Sequence, residues 1–316
     1  MSWLQISITT TKGHAELTED CLFSVGAQTV TLTDGADQPI LEPGLNETPV
    51  WNSVIVTGLF TFDVTIDNNQ QNLLDKISHC LKDTRHSCTA QILEDQNWTR
   101  AWMEHFHAMA FGERLWVCPL HIEPPEPKAI NLRLDPGLAF GTGTHPTTSL
   151  CLRWLDQHIG LNNKAQENIL DYGCGSGILA IAACLLGADH ADGVDIDPQA
   201  LLATHDNANT NKVSEKINTW LADDYQQQHA QTQYDIVMAN ILSGPLAELA
   251  PMLARHTQTK GDIVLSGILR EQAETVRQTY AEFFTMDAPV YEEDWVLLHG
   301  VKKAVSSGTG MCRLRT

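Results

Sequence analysis

The sequence predicts an α/β protein: a parallel sheet with helices on both faces, preceded by a smaller α+β unit. Three observations carry that expectation. From residue 130 onward, short apolar runs alternate with helix-period segments, the pattern of βαβ units. Within them, ILDYGCGSGI (169–178) followed by GVDID (193–197) reads as a strand, a glycine turn, a helix and a second strand ending in acid. At 316 residues the chain also exceeds the usual size of one domain, so two are expected.

Residues 1–95 form the smaller unit. Leu4, Ile6 and Ile8 alternate as a strand. The segment 15–27 is helical in pattern and closes at Gly26, 28–33 is a second strand, and a loop rich in Asp, Pro and Gly covers 34–49. A strand over 54–62, a helix over 71–81 and a strand over 89–93 complete an order that suits a ferredoxin-like split unit. The unit carries four bases (Lys12, Lys76, Lys82, Arg85) against thirteen acids, a net charge of −9. It holds no catalytic cluster and reads as a recognition domain.

Residues 96–129 are expected to link the two domains. Trp98, Trp102 and Phe106 recur every four residues, a helical stripe better suited to packing on a domain face than to holding a cofactor. Pro124, Pro125 and Pro127 stiffen the connector.

The larger domain spans 130–303. Ile169 and Leu170 lead into Asp171, and Gly173, Gly175 and Gly177 allow a sharp turn and close approach to a ligand. ILAIAACLL (178–186) follows as a helix. Val194 and Ile196 are expected to face one way on the second strand, with Asp195 at its carboxyl end, 18 residues past Gly177. In doubly wound sheets, ligands bind beyond the carboxyl ends of the strands, where an acid on the second strand accepts from ribose hydroxyls. An NAD fingerprint needs its third glycine one residue later, and position 178 is Ile. Asp171, just before the turn, would repel a pyrophosphate but suits a ligand with a cationic amino-acid end. These details favour S-adenosyl-L-methionine over NAD. A bare tight turn would explain the glycines but not both acids.

Two further segments suggest ligand contact. Residues 134–149 combine three glycines with Thr142, Thr144, Thr147 and Thr148 around Pro146. Thr147 and Thr148 start a helix, where backbone N–H groups favour a carboxylate; a capped helix start is the plainer reading. Asn240 ends the apolar strand 234–239, where its side-chain oxygen can accept from a substrate amine; capping a helix at Pro245 is the plainer role. The remaining pattern gives a strand within 213–221, helices over 245–256 and 271–284, a strand over 262–265, a late strand pair containing 295–298, and a frayed tail over 304–316.

Composition narrows the partners. A net charge of −19 opposes binding to a phosphate backbone, so DNA binding is not expected, and it favours a basic partner. No apolar run approaches the ~20 residues of a membrane span, and MSWLQISITT lacks the basic start and apolar core of a signal peptide. A cytoplasmic protein with no membrane role is expected. Eight cysteines without a C-x-x-C pair read as free thiols. Thirteen scattered histidines without H-E-x-x-H give no reason to expect a metal site.

On LDPGLAFGTGTHPTTSL, DYGCGSGILAIAA, GVDIDPQA and ANIL, the chain resembles the ribosomal protein methyltransferases of the PrmA type, over roughly its length to residue 303. The resemblance implies a Rossmann-like, class I S-adenosyl-L-methionine-dependent methyltransferase domain behind the ferredoxin-like one. It implies transfer of methyl groups from S-adenosyl-L-methionine to lysine and N-terminal amino groups of the eleventh large-subunit ribosomal protein, a basic, lysine-rich partner gripped by the N-terminal domain on a flexible link. It carries cofactor contacts to Thr148, Gly173, Asp195 and Asn240. It supplies no general base; Thr144, His145 and Asn240 are candidates to line the amine channel, with His145 better read as structural. Tyr172 and the tail after Ala304 depart from the family's pattern. The alternatives are a class I methyltransferase of another protein or small-molecule amine, and a non-catalytic cofactor-binding assembly factor.

Overall fold

The structure is a computed structural model and describes residues 2–36, 38, 49–62, 69–82, 87–93, 107–134, 143–161 and 167–304. The chain divides into two compact units, Met1–Trp102 and Met103–Thr316.

The first unit runs β1 (Ser2–Thr11), α1 (Ala15–Ser24), β2 (Thr29–Asp34), β3 (Ser53–Phe62), α2 (Asn69–Cys80) and β4 (Ser87–Leu93). Its sheet has the order β2-β3-β1-β4 with every pair antiparallel. This is the β-α-β-β-α-β connection anticipated from the strand and helix patterns. Leu4, Ile6 and Ile8 share one face, as alternation requires, and pack with Val54, Val56 and Phe60 of β3 against Cys21, Leu22, Ile77 and Leu81. Helix α1 stops before Gly26, whose φ of +105° lets the chain reverse where a side chain would strain it.

The second unit opens with a small sheet, β5 (Met109–Phe111), β6 (Leu115–Cys118) and β7 (Ile130–Arg133), in that order. Two of these strands lie inside the segment expected as a linker, so its second half is built into this unit. Strands of three and four residues are too short to declare a period in sequence. The stripe of Trp98, Trp102 and Phe106, the loop residue Thr142 and the tail beyond Ala304 lie outside the described residues.

The main sheet comprises β8 (Asn168–Tyr172), β9 (His190–Asp195), β10 (Ile217–Leu221), β11 (Tyr234–Asn240), β12 (Thr257–Leu269), β13 (Phe284–Met286), β14 (Val290–Glu292) and β15 (Trp295–Lys302). Its order is β10-β9-β8-β11-β12-β15-β13, with β14 paired to β15. The first five strands are parallel, and β15 is antiparallel to β12, β13 and β14. Helices α3 (Pro146–His158), α4 (Ile178–Leu186), α5 (Pro198–Thr210), α6 (Ala222–His229), α7 (Ser243–His256) and α8 (Ala273–Ala281) connect or flank them. Neighbouring strand residues feed opposite cores. Ile169, Ile236, Met238 and Val264 belong with α3 and α4, whereas Leu170, Val237, Ala239, Ile263 and Leu265 belong with α7 and α8. A sheet covered on both faces explains why its strands read as unbroken apolar runs.

The chain lays down β8, β9 and β10 outward in one direction, then returns to place β11 on the other side of β8. The crevice between β8 and β11 is therefore the switch point of the fold. Helix α4 is apolar all round and almost wholly buried, as such a helix must be. Strand β9 ends at Asp195, and Ile196 is 84% exposed, so Val194 and Ile196 do not share a face as expected. The cause is local: the Asp195 carboxylate accepts from Asp197 N at 3.0 Å and turns the chain into α5, which Asp197 then caps through Gln199 N. Among the described residues no helix is long and apolar enough to cross a membrane.

Candidate functional site at the strand ends

The glycine turn after β8 is shaped by positive φ angles: +82° at Gly173, +54° at Gly175 and +76° at Gly177. Side chains are disfavoured in that region. Gly173 N and Cys174 N both donate to Val194 O, at 2.7 and 3.1 Å, and so tie the turn to the end of β9. A Cβ on Gly177 would lie 2.6 Å from Thr204 Cγ2. Helix α5 supports the turn from behind, with Thr204 Oγ1 donating to Gly175 O at 3.1 Å and Asn207 Nδ2 to Ser176 O at 2.8 Å.

Two carboxylates flank this turn. Asp195 Oδ2 accepts from Gly175 N at 2.9 Å, while Oδ1 accepts from Asp197 N. A carboxylate has about four acceptor positions, so this partly exposed group keeps capacity for a vicinal pair of ribose hydroxyls. Asp171 is 1% exposed. Its Oδ2 accepts from Ala180 N at 3.1 Å, and its Oδ1 has no partner among the described residues. Burial pushes its carboxyl up to about 7, against the Ala180 N–H and with help from the Asp195 charge. A buried acceptor without a donor is costly and uncommon. An ammonium group of a bound ligand would both pair the orphaned oxygen and favour the charged form.

On the other side of the switch point, Thr148 is fully buried in the first turn of α3. Asn240 closes β11 and donates through Nδ2 to Thr148 Oγ1 at 3.3 Å. It does not cap α7: the cap position of that helix is Leu242 and carries no side-chain bond. The capping role that sequence offered for Asn240 is thus not the one it takes. His145 is the N-cap of α3, its Nδ1 accepting from Thr147 N at 3.4 Å and lying 2.8 Å from Thr147 Oγ1. Its ring meets Trp295 edge-on at 4.7 Å, and burial lowers its pKa although Glu293 opposes this. His145 shapes the loop, the structural role expected of it, and Thr144 directly precedes it.

The four residues singled out for cofactor contact all lie at the carboxyl side of the parallel strands. Gly173 and Asp195 meet through the glycine turn, and Thr148 and Asn240 touch directly. The two pairs join at Ile241, whose Cγ2 would be 2.3 Å from a Cβ on Gly173. Sequence reasoning passed over Ile241 and Ser266 as site residues and placed Ile196 inside the strand. Ile196 is a bare apolar surface directly after the ribose-type acid, and the signal for it was its place between two aspartates. Ser266 Oγ donates to Thr147 O at 3.1 Å beside the site, and nothing in its apolar run marks it. An exposed apolar residue, an acid with spare acceptor positions, closely approachable backbone and a buried acid lacking a partner fit the base, ribose and amino-acid end of S-adenosyl-L-methionine.

Comparison with known proteins agrees with this layout. The family "Ribosomal protein L11 methyltransferase (PrmA)" matches residues 2–303. A ribosomal protein L11 methyltransferase of Hahella chejuensis (strain KCTC 2396) is 48% identical over 300 residues, covering 95% of this chain and 98% of that protein. The one of Cellvibrio japonicus (strain Ueda107) is 49% identical over 303 residues, covering 96% and 99%. The crystal structure of a ribosomal protein L11 methylase from Lactobacillus delbrueckii subsp. bulgaricus superimposes with a TM-score of 0.55 at 30% identity, over 63% of this chain and 100% of that one. Sequence along nearly the whole length, the fold and the strand-end chemistry converge: this chain belongs to the ribosomal protein L11 methyltransferases, class I enzymes that depend on S-adenosyl-L-methionine.

Proposed function

We propose that this chain methylates lysine and N-terminal amino groups of the eleventh large-subunit ribosomal protein, a basic partner met in the cytoplasm. The observation that carries the reading is Asn240: a carboxamide at the switch point, released from helix capping and held against Thr148. A carboxamide oxygen can accept from an amine without adding a charge that would keep the amine protonated.

S-adenosyl-L-methionine, when bound, supplies a methyl group already activated on a sulfonium. The residues of this chain supply position and exclusion of water, where effective concentrations are large. Gly173 and Gly175 bring backbone close to the ligand, Asp195 takes the ribose hydroxyls, and Asp171 takes the ammonium. Asn240 and Thr148 orient the other side. The accepting amine must be neutral, and a free lysine at pH 7 is so in only about one part in a few thousand. Burial of that lysine next to a cationic ligand lowers its pKa, so a dedicated base is not required. The net charge of −9 on residues 1–95 supports a recognition role for the first unit toward a lysine-rich protein.

The test is transfer of labelled methyl from S-adenosyl-L-methionine to the purified L11 protein, with the sites mapped by mass spectrometry. Label on lysine and N-terminal nitrogens is expected. An unlabelled L11 protein, or label on another atom type, would sink the proposal.

A further inference from the structure

Strand β12 breaks its register with β15 beside the candidate site. Leu265 pairs with Leu298 and Ile268 with Val296, so Ser266 and Gly267 together face Leu297 alone. This is a β-bulge, a device that re-aims groups at strand ends. On its other edge, the same strand pairs Ser266 with Asn240.

Each bulge residue reaches one side of the site. Ser266 is fully buried, and its hydroxyl donates to Thr147 O at 3.1 Å and lies 3.4 Å from Val296 O. It thereby ties the first turn of α3, which carries Thr148, to the end of β12. Gly267 has φ +81°, and a Cβ there would lie 2.3 Å from Ile241 O and 2.7 Å from Ile241 C. Those are backbone atoms of the residue directly after Asn240, so a side chain at 267 cannot be accommodated by a rotamer change. Ile241 is held between two glycines, Gly173 from the cofactor turn and Gly267 from the bulge, and each leaves room that no other residue would leave. The contacts close a ring: Asn240 to Thr148, Thr148 to its neighbour Thr147, Thr147 to Ser266, and Ser266 back to Asn240 across the sheet.

We propose that Ser266 and Gly267 are positioning residues for methyl transfer, the bulge setting where the Asn240 carboxamide and the Thr148 hydroxyl stand relative to the glycine turn. The inference rests on the reading of Asn240 and Thr148 as site residues. Ser266 fixes the helix side and Gly267 the strand side; neither touches the reacting atoms.

The experiment compares G267A, S266A, N240A and V264A in the full chain. Val264 is buried in the same strand, in the core shared with α3 and α4, and makes no side-chain hydrogen bond, so V264A reports what ordinary loss of packing does. Methyl transfer to the L11 protein, calorimetric S-adenosyl-L-methionine affinity and thermal midpoint are measured for each. G267A is expected to lower kcat/KM about 100-fold, the scale of an ångström-sized misplacement, and S266A about tenfold, as for loss of one positioning hydrogen bond. V264A is expected to lower the midpoint while kcat and cofactor affinity stay native. G267A added to N240A should cost little more, because both act through one group. Native kinetics and affinity in both G267A and S266A, with N240A impaired, would overturn the positioning role alone. A native N240A would overturn the site reading and this proposal with it. If G267A fails to fold, S266A against V264A decides the matter.

Discussion

Two buried aspartates, one at the top of β8 and one within β9, show how the same side chain is used for opposite ends. Asp192 is 5% exposed and fully served. It accepts from Tyr234 Oη at 2.6 Å and Trp220 Nε1 at 3.0 Å, and lies 3.2 Å from His190 Nε2. Burial alone would raise its carboxyl, but these donors outweigh burial and hold it down to about 2. Asp171 is buried as deeply with one backbone donor and one orphaned oxygen, and is pushed up to about 7. The first belongs to a finished internal network that continues through Tyr225 to His256. The second keeps one oxygen without a partner among the described residues, where the proposed function puts the ammonium of the cofactor. The difference teaches that burial alone does not set the state of a carboxyl; the donors around it do, and a buried acid lacking one is a candidate for function.

The comparison can be broken most forcefully at Asp192. D192A leaves Tyr234, Trp220 and His190 without their acceptor and should cost roughly 3 kcal/mol of folding stability, read from denaturant melts. Its cofactor affinity should stay near native, and a large affinity loss would erase the contrast. At Asp195 the balance should reverse. D195A removes an acceptor of Gly175 N and Asp197 N as well as of the ribose, and should weaken cofactor binding about 100-fold, or ~2.7 kcal/mol, by calorimetry. D171N keeps an acceptor for Ala180 N and is expected to leave the empty protein as stable as before or more so. It should weaken cofactor affinity about 30-fold at pH 8; undiminished affinity would remove Asp171 from the site.

The smallest effect is one of pH. The folded Asp171 carboxyl is raised from 3.8 to about 7, so the protonated form is the one the empty fold favours. Its contribution to stability is complete below 3.8 and is lost as pH rises through about 7. Binding an ammonium needs the carboxylate, so cofactor affinity should rise about tenfold from pH 6 to pH 8. That slope should vanish in D171N, and an identical slope in both proteins would assign the titration to another group.

Much of this was legible from residue patterns, and the exceptions share a cause. Leu4, Ile6 and Ile8 declared a half-buried strand because one face of their sheet is apolar. The glycine turn declared itself because three positive φ angles within five residues leave little choice of residue. The strand-end places of Asp195 and Asn240 were legible because strand ends are where apolar runs stop at a polar group. The bulge at Ser266 and Gly267 was hidden inside the run IVLSGIL, where a lone glycine has many readings. Strands β5 and β6 were hidden by their brevity. Ile196 was misplaced because alternation was extended one residue beyond the point where Asp195 bends the chain. The role of Asn240 was left between two readings because a helix follows it either way. The position of Leu242 at the start of α7 removes the capping reading. What sequence cannot write is a contact between segments, such as Ser266 with Thr147 or Gly267 with Ile241.

In the proposed function, the glycine turn and its two acids hold the ends of the cofactor, not its sulfur. Loss of the methyl group leaves those ends unchanged. On that reading the demethylated product, S-adenosylhomocysteine, would meet the same two acids and lack only the positive charge at the centre. On the proposed reading, S-adenosylhomocysteine is expected to compete with S-adenosyl-L-methionine, which inhibition kinetics would check.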